Sequence, residues 1–170
     1  MSARSIENHC YYQSPIGLIR MGETGGFLTR ADFIEQSPES EHFQSDCISN
    51  SSTFLKDACR QLDEYFEGRR QKFDLALKTH GTEFQRSAWE SLLRIPYGET
   101  WSYLQQAESI LNPRAIRAIG QANSRNPIPI IIPCHRVIAK NGSLTGYAGG
   151  LARKTRLLAL EHNFMHEQNY

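Results

Sequence analysis

A cysteine and a histidine adjoin at Cys134 and His135, directly after Asn126-Pro127-Ile128-Pro129-Ile130-Ile131-Ile132-Pro133. That run is apolar enough to be buried. Its prolines fix φ and remove backbone donors, which stiffens the support. A thiol is mostly protonated at neutral pH, so it attacks only with a base or a positive field beside it. Two sources are open. The imidazole of His135 could take the proton, directly or through a bridging water. Alternatively, if Pro133 ends a strand and Cys134 opens a helical turn, the N-terminal amides of that turn would lower the thiol pKa. A histidine base usually needs an acid to fix its tautomer. Glu161 is the candidate, being the first acidic residue after Glu108 and lying on an otherwise basic and apolar segment. On composition alone, Cys134 could equally be a structural cysteine and Glu161 a solvated helix residue.

The elements that must hold these groups can be read along the chain. Tyr11-Tyr12-Gln13, Leu18-Ile19-Arg20-Met21 and Phe27-Leu28-Thr29 read as short strands broken by Ser14-Pro15-Ile16-Gly17 and Gly25-Gly26. Residues 36–52 are polar and unpatterned, and read as a loop. Ser51, Ser52 or Thr53 caps a helix to about Phe66, with Phe54, Leu55, Ala58, Leu62, Tyr65 and Phe66 at helical spacing and Gly68 after it. Phe73 to Leu77 alternates like a last strand. A boundary near His80-Gly81 divides the chain into a domain over 1–80 and another over 81–170. In the second, Thr82-Glu83-Phe84-Gln85 has the form of a capping box. Its helix carries Phe84, Ala88, Trp89, Leu92 and Leu93 on one face and stops before Pro96-Tyr97-Gly98. Thr100 is expected to cap a short helix through Ile110. Asn112 and Pro113 are expected to open another, from Arg114 to about Ala122. Two short helices joined tightly, with Arg114 and Arg117 near the start of the second, fit a helix-turn-helix. Asn141-Gly142 marks a turn, and Gly146, Gly149 and Gly150 surround Tyr147 in a loop. A last helix starts near Ala152.

Composition bounds the function. The chain has 170 residues, 39% hydrophobic and 22% charged, as in a globular protein with a real core. No apolar run is long enough to span a membrane, and the N-terminus does not read as a secretory signal. Cys10, Cys47, Cys59 and Cys134 fit neither CxxC pairs nor a secreted disulfide framework, so reduced thiols and a cytoplasmic location are expected. Cys10 with His9, or Cys47 with His42, lacks clean metal-ligand spacing. Net charge is +1 but uneven: residues 1–80 hold 9 basic and 12 acidic side chains, and residues 109–170 hold 8 basic and 2 acidic. Arg114, Arg117, Arg125, Arg136, Lys140, Arg153, Lys154 and Arg156 all fall between Glu108 and Glu161. Such a segment suits a polyanion, nucleic acid above all.

Pro133-Cys134-His135-Arg136-Val137 closely resembles the active-site motif of the O6-alkylguanine-DNA alkyltransferases, also called methylated-DNA–protein-cysteine methyltransferases. The resemblance runs from about Thr82 to His162. It includes Phe84-Gln85, Trp89, Ile95-Pro96-Tyr97-Gly98, Ser102-Tyr103, Arg114 to Gly120, Asn126-Pro127, Asn141-Gly142, Gly146 to Leu151, Lys154 and Leu157-Leu158 before Glu161. Residues 1–80 resemble the family's N-terminal domain only loosely. The implied fold is α/β: a small ribonuclease-H-like sheet-plus-helix domain, then a mainly helical, winged-helix-like catalytic domain with a helix-turn-helix.

The implied activity is single-turnover direct reversal of DNA damage. Cys134 would take the alkyl group from O6-alkylguanine, with O4-alkylthymine a further substrate. His135 would deprotonate it through a water, Glu161 would orient His135, and Asn126 would brace the turn. Tyr103 would donate to guanine N3. The base pocket would comprise Tyr103, Cys134, Val137, Tyr147 and Ala148, with carbonyls of Cys134 and Val137 reading the guanine amine and an N–H near Ala148 bonding O6. O6 lies inside the duplex, so the nucleotide must be extruded. Arg117 would fill the space left. Arg114, Arg117, Ala118, Gly120 and Tyr103 would face double-stranded DNA in the minor groove, with little sequence preference. No cofactor or metal is implied, and a monomer is expected. Leu111 stands where the family commonly has glycine, Gln106 where leucine is usual, and Ala148 where some relatives have serine. A non-catalytic relative is disfavoured by the presence of Cys134. A Cys-His-Glu hydrolase fits poorly with adjacent Cys and His, and a transcription regulator would need sequence-specific binding.

Overall fold

The N-terminal strands follow from their turns. Gly25 and Gly26 both have positive φ, 61° and 82°, the backbone a two-residue hairpin turn of matching twist requires. They join β2 (Gly17–Thr24) to β3 (Phe27–Ile34), and β1 (Asn8–Ser14) pairs on the other side of β2, all antiparallel. The computed structural model describes residues 8–35 and 51–167. Most of the expected 36–52 loop lies outside the described residues. Chain contacts separate Met1–Thr79 from His80–Tyr170.

In the first unit, Cys10, Tyr12 and Ser14 alternate inward along β1, and Leu18, Ile19 and Met21 fill β2. Helix α1 (Thr53–Phe66) is capped by Ser52, whose hydroxyl accepts the Leu55 N–H at 3.2 Å. Its Leu55, Ala58, Leu62 and Tyr65 are buried at helical spacing. Each buried leucine contributes about 2 kcal/mol by area. Tyr12 Oη donates to Asp63 Oδ1 at 2.7 Å, tying β1 to α1. The expected strand at 73–77 is reduced to one bridge. Leu28 bonds Ala76 and Lys78 around Leu77, and the rest of the segment carries no ladder. Cys10 Sγ lies 3.9 Å from Cys59 Sγ. His42 and Cys47 lie outside the described residues.

The second unit is mainly helical. Helix α2 (Glu83–Leu92) opens on the full Thr82/Gln85 capping box. Strand β4 (Trp101–Ser102) pairs in parallel with β5 (Val137–Ile138). Helix α3 (Tyr103–Ser109) is capped by Ser102 with Gln105, not by Thr100, because Trp101 and Ser102 are first taken up by the strand pair. Helix α4 (Ile116–Ser124) starts two residues later than expected. Ala115 N–H bonds the Asn112 carbonyl, so Asn112-Pro113-Arg114-Ala115 is a turn and Arg114 precedes the helix. Residues Ala88, Ala107, Ile119 and Ala122 form the seam of α2, α3 and α4. Helix α5 (Leu151–Glu167) closes the unit, with Lys154, Leu157 and Glu161 on one buried face. Among the described residues, no helix is long and apolar enough to cross a membrane.

Candidate active site

Asn126 begins the support of the thiol. Its Oδ1 accepts the Ile128 N–H at 3.0 Å, and its Nδ2 donates to the Ile132 carbonyl at 2.7 Å and to Cys134 Sγ at 3.1 Å. One side chain thus closes the proline-isoleucine loop and touches the sulfur. Ile130 within that loop has φ 73° and is buried, an arrangement unusual for a β-branched residue. Cys134-His135-Arg136 form a single 3-10 turn, all three buried.

The turn projects His135 and Arg136 onto Glu161 of α5. His135 Nε2 lies 2.8 Å from Glu161 Oε1. Arg136 grips the same carboxylate as a fork, Nε to Oε2 at 2.9 Å and Nη2 to Oε1 at 3.0 Å, and its Nη1 donates to the Ile95 carbonyl at 2.8 Å. The Gly98 N–H adds a bond to Oε2 at 3.2 Å. Gly98 has φ 76°, and a Cβ there would stand 2.6 Å from Met165 Cγ, so only glycine lets this backbone pass α5.

The electrostatics follow from these contacts. Burial alone would raise the Glu161 carboxyl. Bonds and charge from His135 and Arg136 outweigh it and hold the group at about 2. Glu161 is therefore an acceptor, and His135 Nε2 carries the proton. Burial pushes the His135 imidazole below its usual 6.5 against the pull of Glu161, so the ring is neutral at neutral pH. Its Nδ1 lone pair has no hydrogen-bond partner among the described residues. Burial also raises the Cys134 thiol to about 11, although the Asn126 bond and the Lys154 charge oppose it. Cys134 does open a turn after Pro133, and a backbone bond there also pulls the thiol down, but desolvation outweighs it.

Other expected residues fall into place unevenly. Tyr103 Oη donates to the Thr145 carbonyl at 3.1 Å. Gly120 is half-buried, with its open side toward the Tyr103 ring, 3.8 Å from where a Cβ would be. Tyr147 is half-buried, and burial followed by the field of Cys134 raises its hydroxyl well above 10. Ala148 is exposed, Ala118 half-buried, and Arg114, just before α4, and Arg117, in its first turn, are exposed. The Val137 and Cys134 carbonyls each already accept one bond, from Lys154 and from the Val137 N–H, which leaves a second lone pair on each.

Two residues belong to the basic segment and to the family pattern, but sequence assigns them no contacts. Arg136 and Lys154 are buried, so the basic segment shows fewer cations to solvent than its composition suggests. Lys154 Nζ donates to the Val137 carbonyl at 2.6 Å and to the Thr145 carbonyl at 2.9 Å. The spacing of Lys154, Leu157 and Glu161, three and seven residues on, is a helical face that could have announced it.

The fold and site define a class: a helix-turn-helix protein in which a buried cysteine precedes a histidine locked by a carboxylate. Residues 83–163 match the model of the 6-O-methylguanine DNA methyltransferase DNA-binding domain, and residues 9–79 match that family's ribonuclease-like domain. The chain belongs to the 6-O-methylguanine DNA methyltransferase family. It is 50% identical over 151 residues to the methylated-DNA–protein-cysteine methyltransferase of Methanosarcina barkeri, covering 89% of this chain and 94% of that one. The Mycobacterium leprae protein of the same name is 47% identical, covering 90% and 92%. The structure of Mycobacterium tuberculosis OGT in complex with DNA superposes with a TM-score of 0.79 at 44% identity, over 91% of this chain and 92% of that one.

Proposed function

We propose that Cys134 is the acceptor atom in direct reversal of O6-alkylguanine damage in double-stranded DNA. Direct-reversal repair by methylated-DNA–protein-cysteine methyl transfer is the work of the family. The observation that carries the residue assignment is the orphaned His135 Nδ1 beside a carboxylate-locked Nε2. A water bonded to Nδ1 and to the Cys134 sulfur would satisfy both. The thiol proton passes through that water to Nδ1, forming an imidazolium that Glu161 stabilises. The sulfur attacks the alkyl carbon, the carbon–O6 bond breaks, and the electron pair goes to the guanine. Tyr103 donates a proton at N3, so neutral guanine departs, and the proton left on His135 returns through water to restore the Tyr103 phenol. The product thioether does not hydrolyse, and each molecule reacts once.

Asn126 aims the sulfur, while the Val137 and Cys134 carbonyls and the 145–148 loop frame the base. Arg117, exposed at the second position of α4, occupies the space of the extruded nucleotide. Arg114, Ala118 and Gly120 follow the minor-groove walls, with little sequence preference, and the protein acts as a monomer.

Intact-mass measurement after mixing with an O6-methylguanine duplex tests the reading. One methylene is gained per molecule, on Cys134, and none by Cys134→Ala. Repeated turnover, or binding without mass gain, would overturn it. Arg117→Ala is expected to slow transfer from duplex far more than labelling by a free O6-benzylguanine base; equal losses would remove its extrusion role.

A further inference from the structure

Gln106 and Asn123 are buried polar residues, 0% and 4% exposed, in the mainly apolar seam of α2, α3 and α4. Asn123 Nδ2 donates to Gln106 Oε1 at 2.7 Å, and Gln106 Nε2 lies 3.1 Å from Asn123 Oδ1, closing a two-bond amide ring. The same Nε2 is 3.1 Å from the Ala88 carbonyl and 3.2 Å from Ser91 Oγ, both on α2. An apolar pair of similar size would fill the seam without fixing how the helices rotate. A satisfied amide ring in a dry seam sets both spacing and rotation, because any slip leaves amide groups unpaired.

Two of the three helices at this joint carry a residue of the proposed reaction. Helix α3 begins with Tyr103, and α4 carries Arg117. The Asn123 carbonyl accepts the Asn126 N–H at 3.2 Å, and Asn126 holds the Cys134 sulfur.

We propose that the Gln106–Asn123 ring is a positioning joint that holds the Arg117 helix at the spacing from Tyr103 and Cys134 needed to deliver an extruded base. It rests on the repair reading above. The test uses Gln106→Leu, Asn123→Leu and the double variant, each well below its melting temperature. Two reactions are compared: transfer from O6-methylguanine in duplex, and labelling of Cys134 by free O6-benzylguanine. Each single variant is expected to slow duplex transfer roughly tenfold, as small misplacements do, and to leave free-base labelling within about twofold. The double variant regains melting temperature but stays slow on duplex, and the two substitutions are non-additive. Parallel losses in both reactions, or full recovery of duplex transfer in the double variant, would overturn the joint. A wild-type protein inert toward duplex would overturn the repair reading itself.

Discussion

At the scale of residues, the site is a problem in keeping protons where they belong. A thiol held at about 11 and a histidine held below 6.5 make the resting pair neutral. A protonated thiol is a poor nucleophile, so the proposed reaction at Cys134 depends on the proton path through His135. The free-base labelling rate of the wild type should be flat across neutral pH and fall on acidification as His135 protonates. In His135→Ala, the logarithm of the rate should instead rise with pH at a slope of about one, up to the thiol pKa. A flat profile in that variant would take the imidazole out of the proton path. Arg136→Met leaves a buried carboxylate short of its main counter-charge and should cost about 3–5 kcal/mol in urea unfolding at pH 7. The sign with pH is fixed by the depressed Glu161 value. Its stabilisation is present above the unfolded carboxylate range near 4.5 and is lost as pH falls toward about 2. The gap between wild type and Arg136→Met should therefore narrow in melts at pH 3.

Among the elements, the turn between α3 and α4 stands out for strain. Leu111 has φ 58° and is 94% exposed. A leucine in left-handed backbone costs about 1–2 kcal/mol, and at this exposure it recovers little by packing. Leu111→Gly should stabilise the protein by about 0.5–1 kcal/mol, since glycine's greater unfolded freedom offsets part of the relief. Chemical denaturation would read this as a raised midpoint with unchanged slope; a lowered midpoint would show that Leu111 packs in a way its exposure hides. Gln106, another departure from the family pattern, is not a flaw in the seam, because Asn123 supplies its partner one helix away. That pairing was illegible in sequence: positions 106 and 123 are joined only once α3 and α4 cross. The helix spans were more legible, since Ser52 and Thr82 announce their caps locally. The α4 start was misread because Asn112-Pro113 serves a turn as well as it would serve a cap.

For the whole molecule, charge must be separated into what faces water and what is used inside. Of the basic segment, Arg114, Arg117, Arg125, Lys140 and Arg156 are exposed, whereas Arg136 and Lys154 are buried on internal acceptors. If all five exposed cations neutralise phosphates, the logarithm of duplex affinity should fall against log salt with a slope of about −4 to −5. Anisotropy titrations over a range of salt would measure it, and a slope near zero would sink the phosphate-contact reading. Cys134, His135, Glu161 and Asn126 were all named by residue type, order and motif. Sequence by itself therefore pointed to these four as one candidate site, and to the family and the two-part organisation, through residue chemistry and the resemblance carried by local motifs. Only the tertiary structure decided which nitrogen of His135 is left without a partner, that burial outweighs the stabilising contacts at Cys134, and that two cations and two amides belong to the interior. Those outcomes depend on desolvation and on contacts between residues far apart in the chain, which no local pattern encodes.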